Sequence, residues 1–234
     1  MVTIGELISG LKTVRTVGDT GIEVTDIQID SRKAARGCLF VAMRGTTTDG
    51  HQFIPKAIEL GATSVLCEVM PEETVQGVTY IQVPDCEDVV GTVATRFFGD
   101  PSSKVRLVGV TGTNGKTTTC FMIWKMLNSA GHKTGLITTV AWGGVGDQGV
   151  SDPNGTDGGT LHYTSAHMTT PDTFTLNQRI SSILKADAEF LVLEVTSHAL
   201  VEFRTLGIPI EIGVFTNVTH EHLDYHKTIE RYHL

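Results

Sequence analysis

Val108-Gly109-Val110-Thr111-Gly112-Thr113-Asn114-Gly115-Lys116-Thr117-Thr118-Thr119 is the stretch on which the reading of this chain turns. The run at 105–110 is rich in β-branched residues and suits a strand buried in a parallel sheet. A glycine turn follows, and then a helical pattern over 116–130 that stops at Gly131. A strand feeding a tight turn feeding a helix gathers backbone N–H groups at the positive end of the helix, where phosphate oxygens are welcome. In such a loop Gly112, Thr113, Asn114, Gly115, Lys116, Thr117 and Thr118 would surround the phosphates of ATP. Lys116 would neutralise the β- and γ-phosphates, and the Thr117 hydroxyl would help hold Mg²⁺. Because position 110 is Val, the spacing is the short G-x-x-G-K-T rather than the longer G-x-x-x-x-G-K-[ST].

Two further segments are expected at the same sheet edge. Glu194 closes the apolar run at 190–193. A carboxylate at the C-terminal end of a parallel strand beside a phosphate loop can reach the metal, directly or through water. The alternative is a strand-end Glu in solvent, but the adjoining Val195-Thr196-Ser197-His198 crowds polar groups there and favours function. Phe215-Thr216-Asn217-Val218-Thr219-His220-Glu221-His222-Leu223-Asp224-Tyr225-His226 also follows an apolar strand. A zinc site from His220, His222 and His226 is disfavoured, since spacings of two and four on a loop define no tetrahedral set and no thiol helps. The better readings are a His or Asp joining Glu194 around Mg²⁺, or a hydrogen-bonding frame for the phosphates. A surface loop of solvated histidines is the remaining one.

Composition narrows the classes. Among 234 residues, 18 Lys and Arg face 26 Asp and Glu, a net charge of −8, which excludes a non-specific nucleic-acid coat. A hydrophobic share of 40% with 19% charged residues belongs to a globular protein and not to a disordered one. No stretch approaches the roughly 18 apolar residues of a membrane span. The start, MVTIGELISGL, has no basic run ahead of an apolar core and so is no signal peptide. Cys38, Cys67, Cys86 and Cys120 stand singly with no C-x-x-C, which suggests neither a zinc knuckle nor a disulfide framework. The expectation is a reduced, cytoplasmic monomer with no nucleic-acid or membrane partner.

The turn formers Gly99-Asp100-Pro101-Ser102-Ser103 mark a boundary, giving domains over 1–101 and 102–234. The first should carry strands near 24–29, 38–43, 64–69 and 79–83, with helices near 53–60 and 85–98. The second should carry strands near 105–110, 134–138, 190–195 and 212–216, with helices near 116–130 and 172–184. The stretch 140–168, rich in Gly, Asp, Ser and Thr, is expected as a long functional or mobile loop. The sequence stops as a helix begins near Thr228. Strands alternating with helices make both halves α/β. In the first half, Asp30-Ser31-Arg32 and Arg44-Gly45-Thr46-Thr47-Thr48-Asp49-Gly50-His51 follow strands. They can cradle a second phosphorylated ligand, although chemistry alone favours plain turns.

Taken together, the motifs resemble the Mur ligase family, in its tripeptide-synthetase branch. They are Asp30-Ser31-Arg32, Leu39-Phe40-Val41-Ala42 leading to Gly45 and Asp49-Gly50-His51, the 112–119 loop, Thr169-Thr170-Pro171, Glu194-Val195-Thr196-Ser197-His198, and Thr216-Asn217-Val218-Thr219 leading to His222-Leu223-Asp224-Tyr225-His226. Folylpolyglutamate and cyanophycin synthetases share a similar phosphate loop but are not expected to share the first or last of these. The His222 to His226 segment speaks against the pentapeptide-synthetase branch. The resemblance implies a small N-terminal α/β domain for the UDP substrate, then a P-loop-type parallel-sheet domain for ATP. It implies ATP-driven ligation of a diamino acid to UDP-MurNAc-L-Ala-D-Glu through an acyl phosphate. By the same resemblance Ser31, Thr46, Thr47 and Thr48 would line the uridine-diphosphate pocket. Thr169, Thr170, Thr196, Glu202 and Arg204 would meet the muramoyl-peptide, and Thr117, Glu194 and His222 the metal, with Lys116, Glu194 and His222 catalytic.

Some positions depart from the family pattern: Thr196 where Ser is usual, Glu202 where Gln is frequent, Met168 where Asn is frequent, and a long stretch at 141–167. The family's carbamylated lysine shortly beyond Tyr232 and its third, Rossmann-like domain are not in this sequence. The expectation is therefore a two-domain piece with little or no turnover alone. A different P-loop ATPase or kinase, or a non-catalytic nucleotide and UDP-sugar-peptide binding module, are the alternatives.

Overall fold

Strands with every side chain buried must lie inside a sheet covered on both faces. Among the described residues four strands are of this kind: Cys38–Ala42, Ser64–Cys67, Thr134–Ile137 and Phe190–Glu194. The structure is a computed structural model that describes residues 2–44, 48–150, 158–163 and 169–219, without the side chains of 147–150. It divides into two compact units, Met1–Gly99 and Asp100–Leu234.

The first unit runs β1 (Val2–Thr3), α1 (Ile4–Ile8), β2 (Arg15–Val17), β3 (Glu23–Val24), β4 (Asp26–Gln28), β5 (Cys38–Ala42), α2 (Ile54–Glu59), β6 (Ser64–Cys67), β7 (Thr79–Gln82) and α3 (Glu87–Phe97). Its five-stranded sheet has the order β2-β7-β6-β5-β4. Strands β4 to β7 are parallel, and β2 closes one edge antiparallel. The single strand expected over 24–29 changes partner at Thr25: Val24 pairs with Val2, whereas Asp26 pairs with Cys38. Helix α3 buries Val89, Val90, Val93 and Ala94, the apolar side of its helical spacing. All four cysteines are free and buried, and burial pushes the Cys67 thiol up to about 11, so none is activated.

The Asp-Gly-His motif is a clamp. Asp49 caps the short 3-10 turn Gly50–Phe53 by accepting the His51 backbone N–H at 2.9 Å. Nε2 of His51 accepts the N–H groups of Glu68 and Val69 at 2.9 and 3.2 Å. The ring proton therefore sits on Nδ1, which donates to Asp49 at 2.6 Å. Gly50 donates to the Met43 carbonyl at 2.8 Å, and a Cβ on it would lie 2.5 Å from that same oxygen. Thr46 and Thr47 lie outside the described residues; Thr48 is exposed.

The second unit runs β8 (Arg106–Thr111), α4 (Lys116–Ser129), β9 (Thr134–Ile137), β10 (Ala141–Gly143), β11 (Gln148–Val150), β12 (Thr160–Tyr163), α5 (Thr173–Lys185), β13 (Phe190–Glu194), α6 (Ser197–Val201) and β14 (Ile212–Phe215). The sheet order is β11-β12-β10-β9-β13-β8-β14, with β9, β13, β8 and β14 parallel. Alternation sorts its side chains. Leu107, Leu191 and Leu193 pack with Leu176, Ile180 and Ile183 of α5, while Val108, Val110 and Val192 pack with Cys120 and Trp124 of α4. One helix therefore covers each face, as buried parallel strands require.

The expected loop over 140–168 is in part a sheet extension. β10 pairs antiparallel with both β9 and β12, and β11 runs parallel to β12. These strands are short, and their glycines hide any alternation in the sequence. What holds them is aromatic and polar: Trp142 stacks on His162 at 4.7 Å, Arg179 lies over the Trp142 ring, and the Trp124 indole N–H donates to the Gly144 carbonyl at 3.0 Å.

Gly50→Ala should destabilise the chain by about 2 kcal/mol through forced backbone displacement. Urea unfolding followed by circular dichroism measures it, and an unchanged midpoint would contradict the close approach to Met43.

Candidate functional site

Three parallel strands end side by side. Glu194 of β13 pairs in register with Val110 of β8, and Phe215 of β14 with Thr111. The phosphate loop that leaves β8 thus opens between the ends of β13 and β14, the edge where open α/β sheets hold ligands.

The loop is fixed mainly from the β14 side. Gly112 has φ +129°, and a Cβ there would lie 2.3 Å from the Thr216 hydroxyl oxygen, so no other residue fits. The Thr216 hydroxyl donates to the Asn114 carbonyl at 2.8 Å. Asn217 accepts the Thr113 N–H on its carbonyl at 2.8 Å and the Asn114 N–H on Oδ1 at 3.1 Å, and it donates from Nδ2 to the Asn114 carbonyl at 2.9 Å. Lys116 closes the loop from inside, donating from Nζ to the carbonyls of Gly112 and Thr113 at 2.8 and 2.9 Å. The Thr119 N–H meets the Gly115 carbonyl at 2.9 Å, which is the first helical bond of α4. The N–H groups of the preceding turn, from Gly115 to Thr118, are the ones a helix leaves without an internal partner. With the helix dipole behind them, such N–H groups are the end of a helix that suits an anion.

Glu194 sits beside this end and is 2% exposed. Its carboxylate accepts the Thr117 hydroxyl at 2.9 and 3.0 Å. It also accepts the backbone N–H and the hydroxyl of Thr139, both on Oε2, at 3.0 and 3.1 Å. Thr139 is presented by a tight turn in which Thr138 and Ala141 bond each other through the Thr138 N–H and hydroxyl. A threonine hydroxyl that donates to a carboxylate keeps its lone pairs for a cation. A hard cation such as Mg²⁺ is commonly held by one or two carboxylates together with phosphate oxygens and water, and one Thr hydroxyl with one Glu suits that donor chemistry. Among the described residues no group of three or more His, Cys, Asp or Glu could hold a metal by itself. His222 and the other histidines of its segment lie outside the described residues.

The remaining candidates have specific places. Thr170, fully buried, donates its hydroxyl to the Glu194 carbonyl at 3.0 Å and accepts the Thr196 N–H at 3.2 Å. It therefore splices the strand end that carries Glu194. Thr196 is the N-cap of α6, accepting the Ala199 N–H at 3.2 Å, a duty that Ser and Thr discharge alike. Arg204 donates to the Thr170 carbonyl at 2.8 Å and pairs with Glu202. Thr169 is half-buried beside this network. Ser31, in the first unit, is buried in the 3-10 turn Ser31–Lys33, capped by Asp30. The Arg32 guanidinium and N–H hold the Asp30 carboxyl down at about 2.

Two residues of the site escape a motif reading. Asn217 stands inside a recognisable segment but carries no charge to mark it. Thr139 follows β9, and the rule that parallel strand ends carry function would have flagged it.

Residues 110–233 match the family model described as the Mur ligase middle domain, and residues 23–98 match that of the Mur ligase family, catalytic domain. The chain is 46% identical over 229 residues to the UDP-N-acetylmuramoyl-L-alanyl-D-glutamate--2,6-diaminopimelate ligase of Bacteroides thetaiotaomicron, covering 98% of this chain and 44% of that one. It is 41% identical over 230 residues to the ligase of the same name from Cytophaga hutchinsonii, covering 98% and 44%. A solved structure of a ligase of that name superimposes with a TM-score of 0.74 at 25% identity, covering 99% of this chain and 43% of that one. A MurF ligase from Thermotoga maritima in complex with ADP shares the fold, with a TM-score of 0.56 at 24% identity, covering 91% and 41%. The chain thus spans under half the length of the curated relatives it matches.

Thr139→Val removes a donor from a buried carboxylate and should lower stability by about 2 kcal/mol. Thr139→Ser should restore most of it. Equal urea midpoints for wild type and the Val variant would show that Glu194 does not depend on this hydroxyl.

Proposed function

The chain belongs to the Mur ligase family, and from that premise we propose that it forms the nucleotide- and UDP-substrate-binding parts of an ATP-dependent amide ligase of peptidoglycan precursor synthesis. The substrate is UDP-MurNAc-L-Ala-D-Glu, and the incoming amine belongs to a diamino acid, 2,6-diaminopimelate by the relatives' names. The observation that carries the proposal is the triad of Lys116, Thr117 and Glu194 at the mouth of the sheet, with the first turn of α4 facing it.

In this reading the N–H groups from Gly115 to Thr118 bind the ATP phosphates. Lys116 exchanges its loop carbonyls for β- and γ-phosphate oxygens, and Thr117 and Glu194 hold Mg²⁺, with His222 as a further ligand. The metal, when bound, supplies positive charge to the transferring phosphoryl group. Phosphoryl transfer needs alignment and neutralisation more than covalent help. The D-Glu carboxylate attacks the γ-phosphorus, ADP leaves, and an acyl phosphate results. The amine then attacks its carbonyl carbon, phosphate leaves with the C–O bonding pair, and the amine proton passes to a base or solvent. Residues 1–101 would bind the uridine diphosphate through Ser31, Thr46, Thr47 and Thr48, and residues 102–234 the nucleotide. Arg204, with Thr169 and Thr196, would meet the muramoyl-peptide, whereas Thr170, fully buried with its hydroxyl on the Glu194 carbonyl, would hold them in place and not touch the substrate itself. Arg204 comes to it already paired with Glu202, so the extra negative charge at that position is matched. A monomer in the cytoplasm fits this chemistry, and among the described residues no helix is long and apolar enough to cross a membrane.

Lys116→Ala should weaken ADP binding at least tenfold in isothermal titration calorimetry, in line with losing one charge-assisted hydrogen bond of about 1.4 kcal/mol or more. The thermal shift produced by UDP-MurNAc-L-Ala-D-Glu should survive the substitution. Wild-type affinity for ADP in the Ala variant would refute the nucleotide reading.

A further inference from the structure

We infer that Asn217 is a positioning residue that sets the phosphate loop before a nucleotide arrives. It rests on the nucleotide reading above and deepens it. The amides of Thr113 and Asn114 belong to this brace and not to the anion cradle. By sequence alone both are expected to surround the phosphates. The Thr113 N–H is bound by the Asn217 carbonyl at 2.8 Å, and the Asn114 N–H by Asn217 Oδ1 at 3.1 Å. A backbone N–H has a single proton and, unlike the Lys116 ammonium, cannot swing to a new acceptor, so recognition falls to the amides of 115–118.

The pairing is chemically selective. Nδ2 of Asn217 donates to the Asn114 carbonyl at 2.9 Å while Oδ1 accepts the N–H of the same residue. The side-chain amide thus does for Asn114 what a neighbouring strand would do, meeting both its donor and its acceptor. Among side chains of this length only Asn carries both groups in this arrangement; Asp lacks the donor, and Leu lacks both. The flanking residues continue the pattern: the Thr216 N–H bonds the Thr111 carbonyl at 3.0 Å, and the Thr219 N–H bonds the Thr113 hydroxyl at 2.9 Å. The segment 216–219 therefore prolongs the β14 to β8 pairing past the end of the sheet, onto the loop. Gly112 permits this because it presents no side chain to Thr216 and Asn217. A loop held this way has already lost its freedom, so nucleotide binding does not have to order it.

The test compares wild type with Asn217→Leu and Asn217→Asp. ADP affinity is measured by calorimetry, and amide exchange of the nucleotide-free chain by NMR. In wild type the Thr113 and Asn114 amides should exchange at least tenfold more slowly than free peptide. The Leu variant should lose the Asn114 protection and bind ADP at least tenfold more weakly, with the urea midpoint little changed. The Asp variant, which keeps the acceptor, should retain more of the Asn114 protection than the Leu variant. Unprotected amides in wild type, or ADP affinity within twofold of wild type in both variants, overturn the inference while leaving the nucleotide reading intact. A wild-type chain that binds no ADP overturns both. Should the Leu variant fail to fold, the wild-type exchange rates and the Asp variant still decide.

Discussion

Glu194 is a carboxylate at the end of a strand buried on both faces, and a buried charge must be met by donors or be lost. Thr117 meets it from the first turn of α4, and Thr139 from the turn after β9. That single carboxylate therefore ties together the start of α4 and the ends of β9 and β13. Its position follows from register, because Glu194 pairs with Val110, one residue before β8 ends. Had β13 slipped by one residue, the carboxylate would face the opposite side of the sheet and the constellation would not exist. Packing sets that register: Leu191 and Leu193 must face α5 while Val192 faces α4.

The phosphate loop shows a second economy. Its carbonyls are occupied by Lys116, Thr216 and Asn217, and its amides at Thr113 and Asn114 by Asn217. What remains is the turn of helix whose N–H groups have no internal partner, aimed at the same opening as Glu194. Lys116 is held by carbonyls of the loop, which are neutral acceptors, so an anionic phosphate can displace them without breaking an ion pair. The resting state thus keeps the cation in place and available.

Much of this was legible in the residues. The β-branched run, the glycine turn and the helical pattern after it located the turn between β8 and α4, because all three signals lie within one short span. Glu194 was legible because its strand is wholly apolar up to that residue. The extension by β10, β11 and β12 was not, since its strands are three or four residues long. They are held by Trp142 on His162 rather than by alternation. The segment of Asn217 and the strand-end place of Thr139 were legible, but not the bonds each makes. Each acts through hydrogen bonds to residues about 100 and 55 positions away, and only the folded register brings those groups together.

Arg204 illustrates how a long-range network changes what a residue type means. A free guanidinium would be an anion receptor by its fork geometry alone. Here one arm is taken by the Thr170 carbonyl and another by Glu202, across Phe203, whose φ of 52° is uncommon for a bulky residue. Thr170 in turn bonds the Glu194 carbonyl and the Thr196 N–H. Arg204 is thereby linked, through one buried threonine, to the backbone that carries the Glu194 carboxylate. Such an arginine holds the Thr170 backbone in place, one hydrogen bond from the strand end that carries Glu194. The Glu at position 202 fits this duty, since a carboxylate that fixes the guanidinium makes the link stiffer than a neutral amide would.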